Sequence, residues 1–137
     1  LVSIAGVSVP SFFAALLRPE DDRFVGWFHL RPDGDDPDVL DLGYRLRREV
    51  WGKGLATEGA RALITWGFTH PDVTRITGHC LEANVASARV LEKCGLHRVA
   101  RFVVPAYKLP GWGEDRRRAV VYAVERTNLS ENPPRMQ

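Results

Sequence analysis

The chain has 137 residues, 45% hydrophobic and 26% charged, a composition suited to an ordinary globular domain with one core. A net charge of +2 argues against a dedicated nucleic-acid binder. No apolar run approaches the roughly 20 residues of a membrane-spanning helix, and two cysteines, Cys80 and Cys94, make no disulfide framework. The opening LVSIAGVSVP has neither a basic n-region nor a small-residue cleavage pattern, so a cytoplasmic protein is expected. The chain begins on Leu1 rather than methionine, which leaves open a trimmed chain or a start further upstream.

Pro10–Leu17 (PSFFAALL) reads as a short helix with proline near its first turn, and Phe24–Leu30 as an aromatic and β-branched strand. The acidic stretch Pro32–Asp38 reads as a hairpin connection. Strict alternation over Val39–Leu46 predicts a second strand, with Leu40, Leu42, Tyr44 and Leu46 on one face and Asp41, Gly43 and Arg45 on the other. The strongest helix pattern covers Leu55–His70 and stops at Pro71. Its small residues Ala56, Gly59, Ala60 and Gly67 join Leu63 on one face, so this helix can lie close against a sheet. Ile76–Leu81 reads as a strand, Ala86–Cys94 as a helix with Gly95 in the left-handed position after it, and Val99–Val104 and Ala119–Val124 as an antiparallel edge pair. The expected architecture is α/β, a mixed sheet in which crossover helices make strands 39–46 and 76–81 parallel. One domain is expected over residues 1–137, with a frayed tail from about 127.

The chemistry concentrates where the second strand runs into the long helix. The first N–H groups of a helix have no internal acceptor and sit at the positive end of its dipole, so they form an anion site. Gly52 and Gly54 keep side chains away from that point, and Lys53, Arg47 and Arg48 add positive charge. The spacing is neither a Walker A loop nor a dinucleotide fingerprint. A plain strand-to-helix turn is the alternative reading. No metal site is expected, because His70, His79 and His97 do not share ligand spacing with the cysteines.

LGYRL, WGKGLATEGARAL and EANVASARVLEKCGL together resemble the GNAT superfamily of N-acetyltransferases, most of all the branch that acetylates the N-termini of ribosomal proteins. The resemblance covers roughly residues 24–125. Gly54 and Ala56 fill the last two places of the family pattern Q/R-x-x-G-x-G/A, while Trp51 stands where Gln or Arg is expected. The resemblance implies a GNAT fold with splayed central strands, shortened at its front, because only 23 residues precede Phe24. It implies acetyl-CoA as co-substrate, with its pyrophosphate on the backbone of Trp51, Gly52, Lys53, Gly54, Leu55, Ala56 and Thr57. The pantetheine arm would lie along Leu42, Tyr44 and Leu46, with Asn84 and Ser87 contacting it. Asn84 also reads as a helix N-cap.

Direct transfer to an amine needs a base, a polarised carbonyl and an acid for the leaving thiolate. Many family members carry a Tyr acid four residues before the glycine that ends the second helix. Leu91 occupies that place, and Ser87 is the substitute, with a buried structural serine as the other reading. Glu82, Asp41 and His29 are the candidate bases. The implied acceptor is a small-molecule or peptide amine, with a homodimer possible and no nucleic-acid or membrane partner. A silent acyl-CoA-binding module is the rival reading.

Overall fold

The computed structural model describes residues 2–4, 7–9, 12–34 and 36–126, with side chains from Leu16 onward apart from residue 35. Strands β1 (Val2–Ile4) and β2 (Val7–Val9) form a two-stranded antiparallel sheet. The main sheet has six strands. They are β3 (Phe12–Leu17), β4 (Phe24–Asp33), β5 (Asp36–Leu46), β6 (Arg75–Leu81), β7 (His97–Val103) and β8 (Arg118–Glu125), and their spatial order is β3-β4-β5-β6-β8-β7. Among the described residues only β5 and β6 pair in parallel. This is the mixed α/β sheet expected, with the β7–β8 pair antiparallel at one edge.

Two sequence expectations are corrected. Phe12–Leu17 is not a helix but an edge strand, paired antiparallel to β4 from Phe12↔Leu30 to Leu17↔Phe24. Its Ala and Leu residues favour a helix locally, but pairing to β4 overrides that preference. Pro10 and Ser11 lie outside the described residues. The acidic stretch is mostly strand rather than loop: β4 runs to Asp33 and β5 starts at Asp36, with Gly34 at φ 61° between them. The frayed tail expected from 127 also lies outside the described residues.

Helix α1 (Leu55–Phe68) follows β5, and α2 (Val85–Lys93) follows β6. Both pack on the face that carries Phe28, Leu30, Leu40, Leu42 and Ile76. A Cβ built on Gly59 would sit 2.3 Å from the Phe28 ring, and one on Gly67 would sit 2.8 Å from Leu30. The small-sided stripe read from the sequence thus brings the α1 backbone onto the sheet. Leu30, Leu40, Ala60, Val73 and Ile76 are fully buried there. Each large aliphatic side chain so buried contributes about 1.5–3 kcal/mol. The alternation of β5 holds: Leu40, Leu42 and Leu46 are buried with Tyr44 beside them, while Asp41 and Gly43 face the other way. Neither α-helix covers that second face.

Candidate active site

The two parallel strands separate. Their register runs Val39↔Arg75, Leu40↔Ile76, Asp41↔Thr77 and Leu42↔Gly78, and then stops. Beyond it β5 stays with β4 through Gly43↔His29 to Leu46↔Gly26, while β6 stays with β8 through His79↔Val121 to Leu81↔Ala119. A fork opens between residues 43–46 and 79–81, with one backbone edge of β5 released from its parallel partner. Such an edge offers unpaired N–H and C=O groups to an extended, amide-bearing ligand.

At the end of the β5 arm the chain makes a 3₁₀ turn, Arg48–Val50, and enters α1. Gly52 and Gly54 both have φ 76°, and a Cβ on either would meet nothing within 4 Å. Glycine is needed here for the left-handed backbone, and the space beside it is open. The first helical bond runs from Glu58 N–H to Gly54 O at 3.0 Å, so the N–H groups of Leu55, Ala56 and Thr57 have no acceptor within the helix. No side chain of the N-cap residue Gly54 covers them. The start of α2 differs, because the Asn84 side chain accepts from Ser87 N–H at 3.1 Å. Of the backbone expected to hold a diphosphate, Trp51 N–H is already used by Arg48 O at 3.1 Å. The Trp51 indole instead donates to Leu46 O at 2.8 Å and ties the loop to the end of β5. Lys53, Arg47 and Arg48 are exposed at the rim, with the Arg48 guanidinium over the Trp51 ring.

On the helix side of the fork, the Tyr44 hydroxyl lies 3.1 Å from Ser87 Oγ. Burial raises the Tyr44 hydroxyl above its usual value, against the bond to Ser87. Burial also raises the Cys80 thiol, opposed by the charge of Arg98 and a hydrogen bond with Ser87. Ser87 therefore faces the sheet, as its helical phase predicts, and joins β5, β6 and α2 at the fork. Leu91 is buried under Gly78, where a Cβ would come 2.7 Å from Leu91 Cδ2. The place of the family's tyrosine is filled by packing. Cys94 is buried too, its thiol pushed up to about 11 by that burial, and its Sγ donates to Thr57 O at 3.7 Å.

A polar cluster occupies the face opposite the helices. Asp41 Oδ1 accepts from His79 Nδ1 at 2.8 Å and from Thr77 Oγ1 at 3.3 Å, and Asp41 Oδ2 lies 3.3 Å from His29 Nε2. Burial alone would raise the Asp41 carboxyl, but the hydrogen bonds and charges of His29 and His79 overcome it and hold the group down at about 2. The bond to Asp41 raises His79 above its ordinary 6.5. Trp27 stacks on His29 with ring centroids 5.5 Å apart, and Phe102 meets His79 edge-on at 5.9 Å. The ring nitrogens converge on one carboxylate as hydrogen-bond partners, and no group of three or more metal-donor side chains occurs among the described residues.

Of the candidate bases, His29 and Asp41 are brought together at the fork. Glu82 is exposed in the turn after β6 and joins none of the cluster's ion pairs. Sequence reasoning missed His79 as part of this cluster. It also placed Tyr44 only as lining. The parallel register carries the signal for His79: once Asp41 is opposite Thr77, alternation puts His79 on the same face, one step into the fork.

A family model described as an acetyltransferase (GNAT) domain matches residues 7–97. The FsC-acetyl coenzyme A-N(2)-transacetylase of Aspergillus fumigatus is 33% identical over 102 residues, covering 69% of this chain and 43% of that protein. The structure of ribosomal-protein-S5-alanine acetyltransferase from Vibrio fischeri aligns with a TM-score of 0.68 at 17% identity, over 84% of this chain and 61% of the other. The aminoglycoside acetyltransferase AAC(6')-Ib, in complex with coenzyme A, aligns with a TM-score of 0.64 at 24% identity, over 83% of this chain and 66% of the other. The two structural likenesses establish the fold. The chain spans about half the length of the curated relatives it matches, 43% to 54% of each. The forked sheet, the uncapped helix start and the match over residues 7–97 place this chain in the GNAT acetyltransferase family.

Proposed function

We propose that the protein transfers the acetyl group of acetyl-CoA directly to a primary amine, a protein N-terminus or a small-molecule amine. The observation that carries the reading is the continuity of fork and helix start. A released β5 edge, residues 43–46, leads through two left-handed glycines into the uncapped amides of α1. This path suits a ligand with an amide-bearing arm at one end and a diphosphate at the other. The amides of Leu55, Ala56 and Thr57 hold the diphosphate, with Gly52, Lys53 and Gly54 around it, and the arm pairs with β5 between Leu42 and Leu46. Asn84 is the N-cap of α2, its Oδ1 accepting from Ser87 N–H, and its side-chain NH2 is the group that would donate to the arm.

A backbone N–H of the open β5 edge polarises the thioester carbonyl. The departing thiolate takes a proton from the Ser87 hydroxyl, which Tyr44 replenishes through their 3.1 Å contact. The Asp41 cluster on the opposite face receives the amine. The reading treats residues 1–137 as one domain at work in a cytoplasm that supplies acetyl-CoA. No described helix is long and apolar enough to cross a membrane. Leu91 in the acid's usual place favours a second reading, a silent acyl-CoA-binding module.

The test is thiol release from acetyl-CoA with kanamycin, spermidine and an alanine-initiated peptide offered separately. Amine-dependent release, with acetylated product seen by mass, supports transfer. Binding of acetyl-CoA without release for any amine supports the silent module and defeats the enzymatic reading.

A further inference from the structure

We infer that His79 is the base that takes the proton from the acceptor amine, with Asp41 as the residue that positions it. The inference rests on the acetyl-transfer reading above and assigns a role within that site. His79 is the first β6 residue beyond the last parallel pair, Leu42↔Gly78, so it stands at the crotch of the fork. It points to the face that neither α-helix covers, where an acceptor can reach an acetyl group held between the strands. Its Nδ1 is committed to Asp41 Oδ1 at 2.8 Å. That bond sets the tautomer that leaves Nε2 as the proton acceptor, and fixes the ring plane. The side chain keeps 38% of its surface exposed, against 10% for His29 and 17% for Asp41.

The other members of the cluster suit the role less well. Both Asp41 oxygens already accept hydrogen bonds, and a carboxyl held at about 2 is too weak a base to draw a proton from an ammonium group. His29 is buried, with its ring between Trp27 and Gly43. Opposite His79 the β5 arm carries Gly43, and the His29 ring packs over it, so the open side of His79 is the one turned away from β4. The polar and charged groups on this face around His79 are Asp41 from β5, His29, Arg31 and Asp33 from β4, with Arg31 registered directly against Asp41, and Thr77 on its own strand. Register puts the neutral residues Val121 of β8 and Phe102 of β7 on the same face. The hydrogen bond to Asp41 raises the imidazole above its ordinary value, against burial and with help from the charges of Asp41 and Asp33.

The balance of the step is simple. The ammonium form of the acceptor gives one proton to neutral Nε2, which passes it to water. The free amine attacks the thioester carbon. A C–N bond forms and the C–S bond breaks. Sulfur takes its proton from Ser87, Ser87 is replenished by Tyr44, and Tyr44 regains a proton from solvent water, which accepts the second proton lost from nitrogen, so no charge is left behind.

The test compares the parent protein with His79→Ala and His79→Gln, using whichever of kanamycin, spermidine or the alanine-initiated peptide is turned over fastest. Calorimetric CoA binding serves as the check that the fold and donor site are intact. The expected result is a kcat loss of roughly 10²–10⁴-fold in both variants, with CoA affinity unchanged. The acidic limb of the parent's kcat–pH profile should vanish in both. Free imidazole should restore His79→Ala, but not His79→Gln, in proportion to its neutral fraction. A variant that keeps the parent's kcat and acidic limb overturns the inference, as does a kcat loss that imidazole at no pH relieves. Transfer to none of the three amines with CoA still bound also overturns it. A parent protein that does not bind CoA at all strikes down the acetyl-transfer reading itself.

Discussion

Gly43→Ala is the sharpest structural test of the fork. Gly43 sits one residue past the last parallel pair, directly across from His29 on β4. A Cβ at this position would stand 2.2 Å from His29 Cε1, 2.5 Å from Nε2 and 2.9 Å from Nδ1. Ordinary contact begins near 3.4 Å, so the ring must retreat by about 1 Å or more. It has little room: Trp27 stacks on it, Asp41 holds its Nε2 at 3.3 Å, and the residue is 8% exposed. Overpacking of this kind costs about 1–3 kcal/mol, which for a chain of this size lowers Tm by roughly 3–10 °C. Because the retreat strains one of the two imidazole bonds to Asp41, its carboxyl should rise from its depressed value. The assay is urea unfolding at pH 7 followed by circular dichroism, with Gly52→Ala as the comparison. Gly52 has open space around it but φ 76°, so its cost is backbone strain alone, about 1 kcal/mol. If Gly43→Ala is as stable as the parent, the packing of His29 over the fork is refuted.

Three further outcomes follow from the same geometry. Asn84→Ala removes the cap on Ser87 N–H and should cost about 1 kcal/mol, read as a lower urea midpoint with an unchanged slope. The Asp41–His79 pair gives a two-sided pH dependence of stability. The depressed Asp41 value means that its contribution, on the order of 2 kcal/mol, is present above about pH 4 and lost as pH falls toward 2. The raised His79 value means that its contribution is full below 6.5 and lost as pH rises through the folded-state value, so urea midpoints of the parent should fall at both ends and those of Asp41→Asn should be flatter. For the acid, Ser87→Ala should lower kcat more than KM, and Tyr44→Phe should lower it less. Equal kcat in all three proteins would remove both hydroxyls from the chemistry.

Much of this fold is legible in short-range pattern. The alternation of Val39–Leu46 and the small-sided stripe of α1 are local signals, and both hold because each records one buried face. Gly52 and Gly54 are equally readable, as a left-handed backbone leaves few other choices. What fails is what depends on distant pairing. FFAALL has the residues of a helix and becomes a strand because β4 lies beside it. The Asp41–His79 bond joins residues 38 positions apart, and nothing in either segment announces it. It appears only once the parallel register is known. Trp51 is a similar case, for its indole closes the loop onto Leu46 O while its own N–H is spent in the 3₁₀ turn.

The central claim is that the amides opening α1 hold the diphosphate of a coenzyme. Isothermal calorimetry with CoA, set against pantetheine, which shares the amide arm but lacks the diphosphate, measures that grip. The account predicts that CoA binds at least ~10-fold more tightly, a difference of about 1.4 kcal/mol. Equal affinities, or no heat with millimolar CoA on folded protein, would contradict it.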